Sequence, residues 1–82
     1  MSTPLSMEWK LITEGKEKRV NAEENIFEIV FDGYKIFPME ETIEIKRHIK
    51  SDQIGSGQIV ELWLKNNQTV CRYQLVSLYS VN

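Results

Sequence analysis

Residues Asn21–Gly33, NAEENIFEIVFDG, can be read as a strand or as a helix, and the choice decides the fold class. The apolar residues are mostly β-branched or aromatic, which favours a strand. Their spacing favours a helix, because Ile26, Phe27, Val30 and Phe31 fall at i, i+1, i+4 and i+5 along one helical face. Both ends carry helix signals. Asn21 can accept from the first free amides, and Glu24 stands three residues on, where a capping-box carboxylate belongs. Glu23 and Glu24 complement the positive end of a helix dipole. Gly33 stands where a left-handed residue closes a helix. The segment is therefore expected to be helical over residues 22–32.

The flanking sequence reads as β. Upstream, MEWKLITE sets Met7, Trp9 and Leu11 at alternate positions with Glu8 and Lys10 between them, the pattern of a first strand with one buried face. Residues 1–6, small and polar with a proline, read as a loose terminus. Gly15 and the charged KEKR lead into a short strand at Arg19–Val20. Downstream, YKIF runs into Pro38, which cannot donate to a ladder and marks a strand end or a sheet edge. TIEIKRHI alternates, with Ile43, Ile45 and Ile49 on one side and Thr42, Glu44, Lys46 and His48 on the other. Arg47 interrupts the apolar side. SDQIGSG reads as a turn cluster.

The last two strands, QIVELWL and TVCRYQLVSLY, are separated by KNNQ, and this fixes a register. Asparagine tolerates positive φ, so Asn66-Asn67 suits a two-residue hairpin turn. Leu64 then faces Thr69, Leu62 faces Cys71 and Val60 faces Tyr73. On the other side Glu61 meets Arg72 and Trp63 meets Val70. An opposite-charge pair at this register supports it, and a slip by one residue would separate the pair onto opposite faces.

The expected architecture is α+β and mostly β: a curled antiparallel sheet or partly closed barrel of about five strands, with the helix at 22–32 covering one opening. Both sides of the final strands carry apolar residues, which suits a curled sheet better than a flat one-sided one. Residues 7–82 read as one β-rich domain. The chain has 82 residues, 41% of them hydrophobic and 27% charged, an ordinary globular composition with room for one core. A net charge of −2 gives no general attraction to nucleic acid or anionic lipid. One cysteine, Cys71, excludes an internal disulfide. With no signal-peptide pattern and no span of about 20 apolar residues, the expectation is a cytoplasmic protein that does not enter a membrane.

Chemistry-bearing motifs are sparse. One histidine, His48, and one cysteine cannot assemble a Cys/His zinc set. Cys71 alternates inward with Tyr73 and Leu75 and reads as a small buried residue. Gly55–Gly57, GSG, lacks the lysine and the strand-to-helix context of a phosphate loop. Glu40 and Glu41 are adjacent on an extended chain, so they point apart. No nucleophile, base and orienting group can be named, so no catalytic residue, metal or cofactor is assigned. Two basic clusters remain, Lys16, Lys18 and Arg19, and Lys46, Arg47, His48 and Lys50. Acidic residues interleave both.

The stretches ENIFEIVFDGYKIFPMEETIEIKR and IGSGQIVELWL, with the ending TVCRYQLVSL, resemble a family of small uncharacterised proteins from Gram-positive bacteria, a domain of unknown function. The resemblance covers most of residues 9–82 and implies no activity. A looser likeness is to PUA-like barrels of the ASCH group, in which a helix ends at a glycine and a lysine follows on the next strand. Gly33 and Lys35 match that spacing. Ile36-Phe37-Pro38 then stand where those barrels tend to carry a glutamate and an arginine. The sequence thus leads to two functional readings. One is a non-catalytic interaction domain with a protein partner or with itself, carrying an exposed apolar patch that includes Trp9 or Trp63. The other, implied by the PUA likeness, is an RNA or nucleotide binder. The binding residues expected from the sequence are Tyr34, Lys35, Lys46, Arg47 and Trp63.

Overall fold

A computed structural model describes residues 5–78. Eight strands account for the regular structure: β1 (Leu5–Met7), β2 (Lys10–Ile12), β3 (Lys18–Asn21), β4 (Ile26–Asp32), β5 (Tyr34–Ile36), β6 (Thr42–Lys46), β7 (Gln53–Lys65) and β8 (Gln68–Leu78). Six form one sheet in the order β2-β6-β7-β8-β4-β3, and β1 pairs with β5 in a second, two-stranded sheet. The β2–β6 and β1–β5 pairs are parallel and the rest antiparallel.

The helix expected over 22–32 is absent, and there is no helix among the described residues. Residues Ile26–Asp32 form β4, which pairs with β8 from Ile26↔Gln74 to Asp32↔Gln68. The competing periodicities differ in one respect that decides the matter. A helix would bury Val30, whereas a strand buries Phe27, Ile29 and Phe31 together. Ile29 is 2% exposed and Val30 is 44% exposed. The strand also sets Glu28 beside Arg72, with Arg72 Nε 2.9 Å from Glu28 Oε1. The end signals are real, but they serve turns. The Glu24 amide donates to Asn21 Oδ1 at 3.0 Å, the bond a helix cap would make. The chain then turns through residues 22–25, and Asn25 at φ 56° starts it back as β4. Gly33, at φ +78°, makes the corner between β4 and β5, and its amide donates to the Asn67 carbonyl at 2.7 Å.

The expected barrel is corrected as well. The six-stranded sheet is open, with β2 and β3 as its two edges. The α+β class and the PUA-like likeness depended on a helix plugging a barrel, and neither is present among the described residues. The core lies on the inner face of the sheet and contains Leu11, Ile29, Phe37, Ile43, Ile45, Ile59, Cys71 and Tyr73. Phe37, which follows β5, packs its ring 5.7 Å from that of Phe31. Thr69 fastens this corner down. Its buried hydroxyl donates to the Gly33 carbonyl and accepts from the Lys35 amide, both at 2.8 Å.

Other expectations divide. The β7–β8 hairpin has the expected turn, with Asn66 at φ 54° and Asn67 at φ 62°, and pairs Leu64 with Thr69, Leu62 with Cys71, Glu61 with Arg72 and Trp63 with Val70. Tyr73 faces Ile59 instead of Val60, because a bulge between Ile59 and Glu61 takes Val60 out of the ladder. MEWKLITE is split between β1 and β2, in different sheets, and only Leu11 of its alternating set is buried. Part of the segment 1–6 expected to be loose, Leu5 and Ser6, pairs with Tyr34 and Lys35 of β5; residues 1–4 lie outside the described residues, as does Tyr79 at the end of the last expected strand. The expected turn at SDQIGSG instead starts β7, and Ile49 is exposed in the loop before it.

Candidate functional site

The long strand β7 separates the five residues expected to bind. Trp63 lies near its end, with the Arg72 guanidinium 5.2 Å from its ring. Tyr34 reaches the same end, where its hydroxyl accepts from the Asn67 amide at 3.2 Å. Lys35 follows on β5, with Nζ 3.3 Å from Glu8 Oε1 and 5.2 Å from the Phe31 ring. Lys46 faces Gln53 at the start of β7, and Arg47 follows it. Gln53 and Trp63 are ten residues apart on one strand, a path of roughly 33 Å at about 3.3 Å per residue. The structure therefore groups Tyr34, Lys35 and Trp63 at one end and leaves Lys46 and Arg47 toward the other.

Half of the ten basic residues, Lys35 among them, are held in ion pairs. Lys10 pairs with Glu44, Lys16 with Glu14, Lys18 with Glu28, Lys35 with Glu8, and Arg72 with both Glu28 and Glu61. A hollow of about 590 Å³ lies on the outer side of the sheet over Arg72 and Glu61, between Val20 and Val60. Arg72 and Glu61 in its lining are held in those pairs, and Glu24 is the other charged residue there.

Two other features are less complete. The first is a surface cleft of about 260 Å³ formed by Met7, Glu8, Trp9, Lys10, Ile12 and Ile49. Trp9 is 62% exposed, Ile49 73% and Met7 49%. These three apolar side chains stand beside β2, which among the described residues is an edge strand paired with β6 alone. Trp9 and Met7 were expected to be inward. They are not, because the chain leaves β1 at Met7 and enters the other sheet at Lys10, which breaks the alternation at Glu8-Trp9. No sequence pattern marks that change of sheet. The second feature is a cavity of about 160 Å³ between the ends of β3, β6, β7 and β8, with Glu17, Arg19 and Arg47 among its lining.

The buried titratable groups belong to the core. Burial pushes the Cys71 thiol up to about 12, so it is a protonated core residue at neutral pH and no nucleophile. Tyr73 is raised by burial first, then by the charge of Glu17 and by Cys71. His48 is exposed in the loop after β6, where its amide donates to Ser51 Oγ at 3.0 Å. Gly55 and Gly57, the glycines of GSG, are spacing residues in the sheet. A Cβ on Gly55 would collide with the Ser77 carbonyl, and one on Gly57 would lie 2.8 Å from the Gln74 carbonyl. Among the described residues no three His, Cys, Asp or Glu side chains converge as a metal site. No helix among them is long and apolar enough to cross a membrane.

Comparison with known proteins gives a consistent family. The model of the family described as "Domain of unknown function (DUF2584)" matches residues 1–82. The uncharacterised protein YtmB of Bacillus subtilis is 33% identical over 82 residues, covering all of both chains. The crystal structure of ytmB from Bacillus subtilis superposes with a TM-score of 0.88 at 34% identity, covering 100% of this chain and 99% of that one.

Proposed function

The chain belongs to the DUF2584 family, and we propose that it serves as a small non-catalytic interaction domain that takes an extended apolar segment of a protein partner at the Trp9 cleft. The observation that carries this reading is the exposure of Trp9, Met7 and Ile49 around one hollow. A tryptophan held out in water beside two other large apolar side chains is the composition of a contact hot spot. The position beside β2 supports an extended partner. An edge strand presents unpaired amides and carbonyls, which a partner strand can match while its side chains enter the adjacent hollow. The pairing of most surface lysines with carboxylates argues for an apolar contact over an electrostatic one. The RNA reading rested on the barrel likeness and has no comparable support. The cytoplasm is the location that goes with this proposal, since Cys71 is a free thiol.

The test is selection of peptides from a displayed random library on the full chain, followed by affinity measurement with the selected peptides. The expected peptides are extended and rich in β-branched and aromatic residues. Trp9→Lys should weaken their binding at least about tenfold. Trp63→Lys places the same charge on the other exposed tryptophan and should leave binding within about twofold. Peptides that bind Trp9→Lys as well as the parent chain overturn the assignment, as does self-association of the pure chain that Trp9→Lys abolishes, which would make a second copy the occupant.

A further inference from the structure

β2 has an unpaired edge, and so does half of β4. β3 pairs with Ile26, Phe27 and Glu28 of β4, so residues 29–32 pair with β8 alone among the described residues. The backbone bonds show which groups face the open side. The Leu75 amide donates to the Asn25 carbonyl, and the Gly33 amide donates to the Asn67 carbonyl. Residues of an antiparallel pair alternate between bonded and non-bonded, so Phe27, Ile29 and Phe31 bond toward β8 as Asn25 and Gly33 do. Val30 and Asp32 therefore turn their N–H and C=O groups to the other side, where no described strand lies. On β2 the Thr13 amide donates to the Lys46 carbonyl. The same alternation turns Leu11 toward β6 and leaves the backbone groups of Lys10 and Ile12 facing away from it.

These two edges border one hollow. It measures about 370 Å³, and Ile12, Thr13, Val30, Phe31, Asp32 and Lys35 are among its lining. Ile12 also lines the Trp9 cleft, so the two hollows flank the same strand. We propose that the extended partner segment lies in this hollow as an added strand, hydrogen-bonded to β2 on one side and to Val30 and Asp32 of β4 on the other. The proposal rests on the reading of the Trp9 cleft and states how its partner is held. At about 3.3 Å per residue, about 4.8 Å between strands and about 10 Å between sheets, an extended residue fills roughly 160 Å³, so the hollow takes about two. Side chains of an added strand alternate between the faces of the sheet. Those on the face of Ile12 and Val30 are apolar. Those on the other face are small, because Leu11 and Ile29 there are already closed to water. Of the charged lining, Glu14 is paired with Lys16 and Lys35 with Glu8, which leaves Asp32 to favour a lysine or arginine of the partner. The outer edge of β3 offers no equivalent. It carries Lys18 and Arg19, and basic side chains on an edge discourage pairing.

The experiment is an N-methyl scan of the library peptides selected on the full chain, with amide hydrogen exchange of the protein read by NMR in the same complexes. Between two edges, successive peptide amides serve β2 and β4 in turn. Methylation at consecutive positions should therefore weaken binding at least about tenfold at each. The Ile12, Val30 and Asp32 amides should exchange at least about tenfold more slowly in the complex than in the free chain. Asp32→Lys, a change at an exposed position, should weaken binding at least about fivefold. Loss at every second peptide position only, with Val30 and Asp32 exchanging as in the free chain, would mean pairing with β2 alone. That result overturns the two-sided strand and leaves the Trp9 assignment standing. Methylation tolerated at every position would overturn strand pairing altogether, and a selection that yields no peptide would remove both proposals.

Discussion

Removing the Thr69 hydroxyl isolates the contribution of one buried polar group to the corner that closes the core. Thr69 is 0% exposed, donates to the Gly33 carbonyl and accepts from the Lys35 amide, both at 2.8 Å. Thr69→Val keeps the side-chain shape and leaves one acceptor and one donor without that partner. A stranded buried group costs about 1–3 kcal/mol. Gly33 and Lys35 are half-buried, so the low end applies to each, and the expected loss is about 2–3 kcal/mol. Thr69→Ser keeps the hydroxyl and deletes a methyl, which should cost about 1 kcal/mol. Urea unfolding reads both. With a slope near 1 kcal/mol per M, the valine variant should unfold about 2 M earlier than the parent with an unchanged slope. The reasoning fails if Thr69→Val stays within about 0.5 kcal/mol of the parent, or if serine costs more than valine.

Two further predictions concern the interior. Gly57→Ala should destabilise by about 2 kcal/mol, because the added Cβ would stand 2.8 Å from the Gln74 carbonyl and 3.0 Å from Ile45 Cδ1. A thermal or urea comparison showing a gain, as alanine gives at an unstrained glycine, would contradict that packing. Alkaline stability should be set in part by Cys71, whose thiol is raised from 9.0 to about 12. A folded-state pKa above the unfolded one gives stability that is intact below pH 9 and lost as pH rises toward 12. One such proton costs about 1.4 kcal/mol per pH unit inside that window. Cys71→Ala should therefore lose stability less steeply than the parent between pH 9 and 10.5, and parallel curves would exclude the assignment.

The sequence was legible wherever a local conformation and its element coincide. Asn66-Asn67 permits positive φ, two-residue turns set the register, and Glu61 opposite Arg72 follows. It was misleading wherever one conformation serves two elements. The Asn21–Glu24 bond and the left-handed Gly33 are the marks of helix ends, and both are present. What they bound is a strand, because Ile26–Asp32 gains a partner on each side, β3 and β8, that no local signal announces. The bulge at Val60 and the sheet change at Glu8-Trp9 are likewise products of pairing between distant segments. The candidate sites suffered for the same reason. Trp9 was assigned inward by an alternation that the sheet change breaks. Arg47 was noted as a break in an apolar face, but that it lines one cavity with Glu17 and Arg19 follows only from the sheet order.

Backbone assignment of Ala22–Asp32 by NMR tests the fold most directly. An extended β4 predicts negative Cα secondary shifts over Ile26–Asp32, with cross-strand contacts between Ile29 and Cys71 and between Phe27 and Tyr73. Positive Cα shifts over Ala22–Asp32, with contacts between residues three and four apart, would mean a helix and would remove the open sheet on which both proposed sites stand.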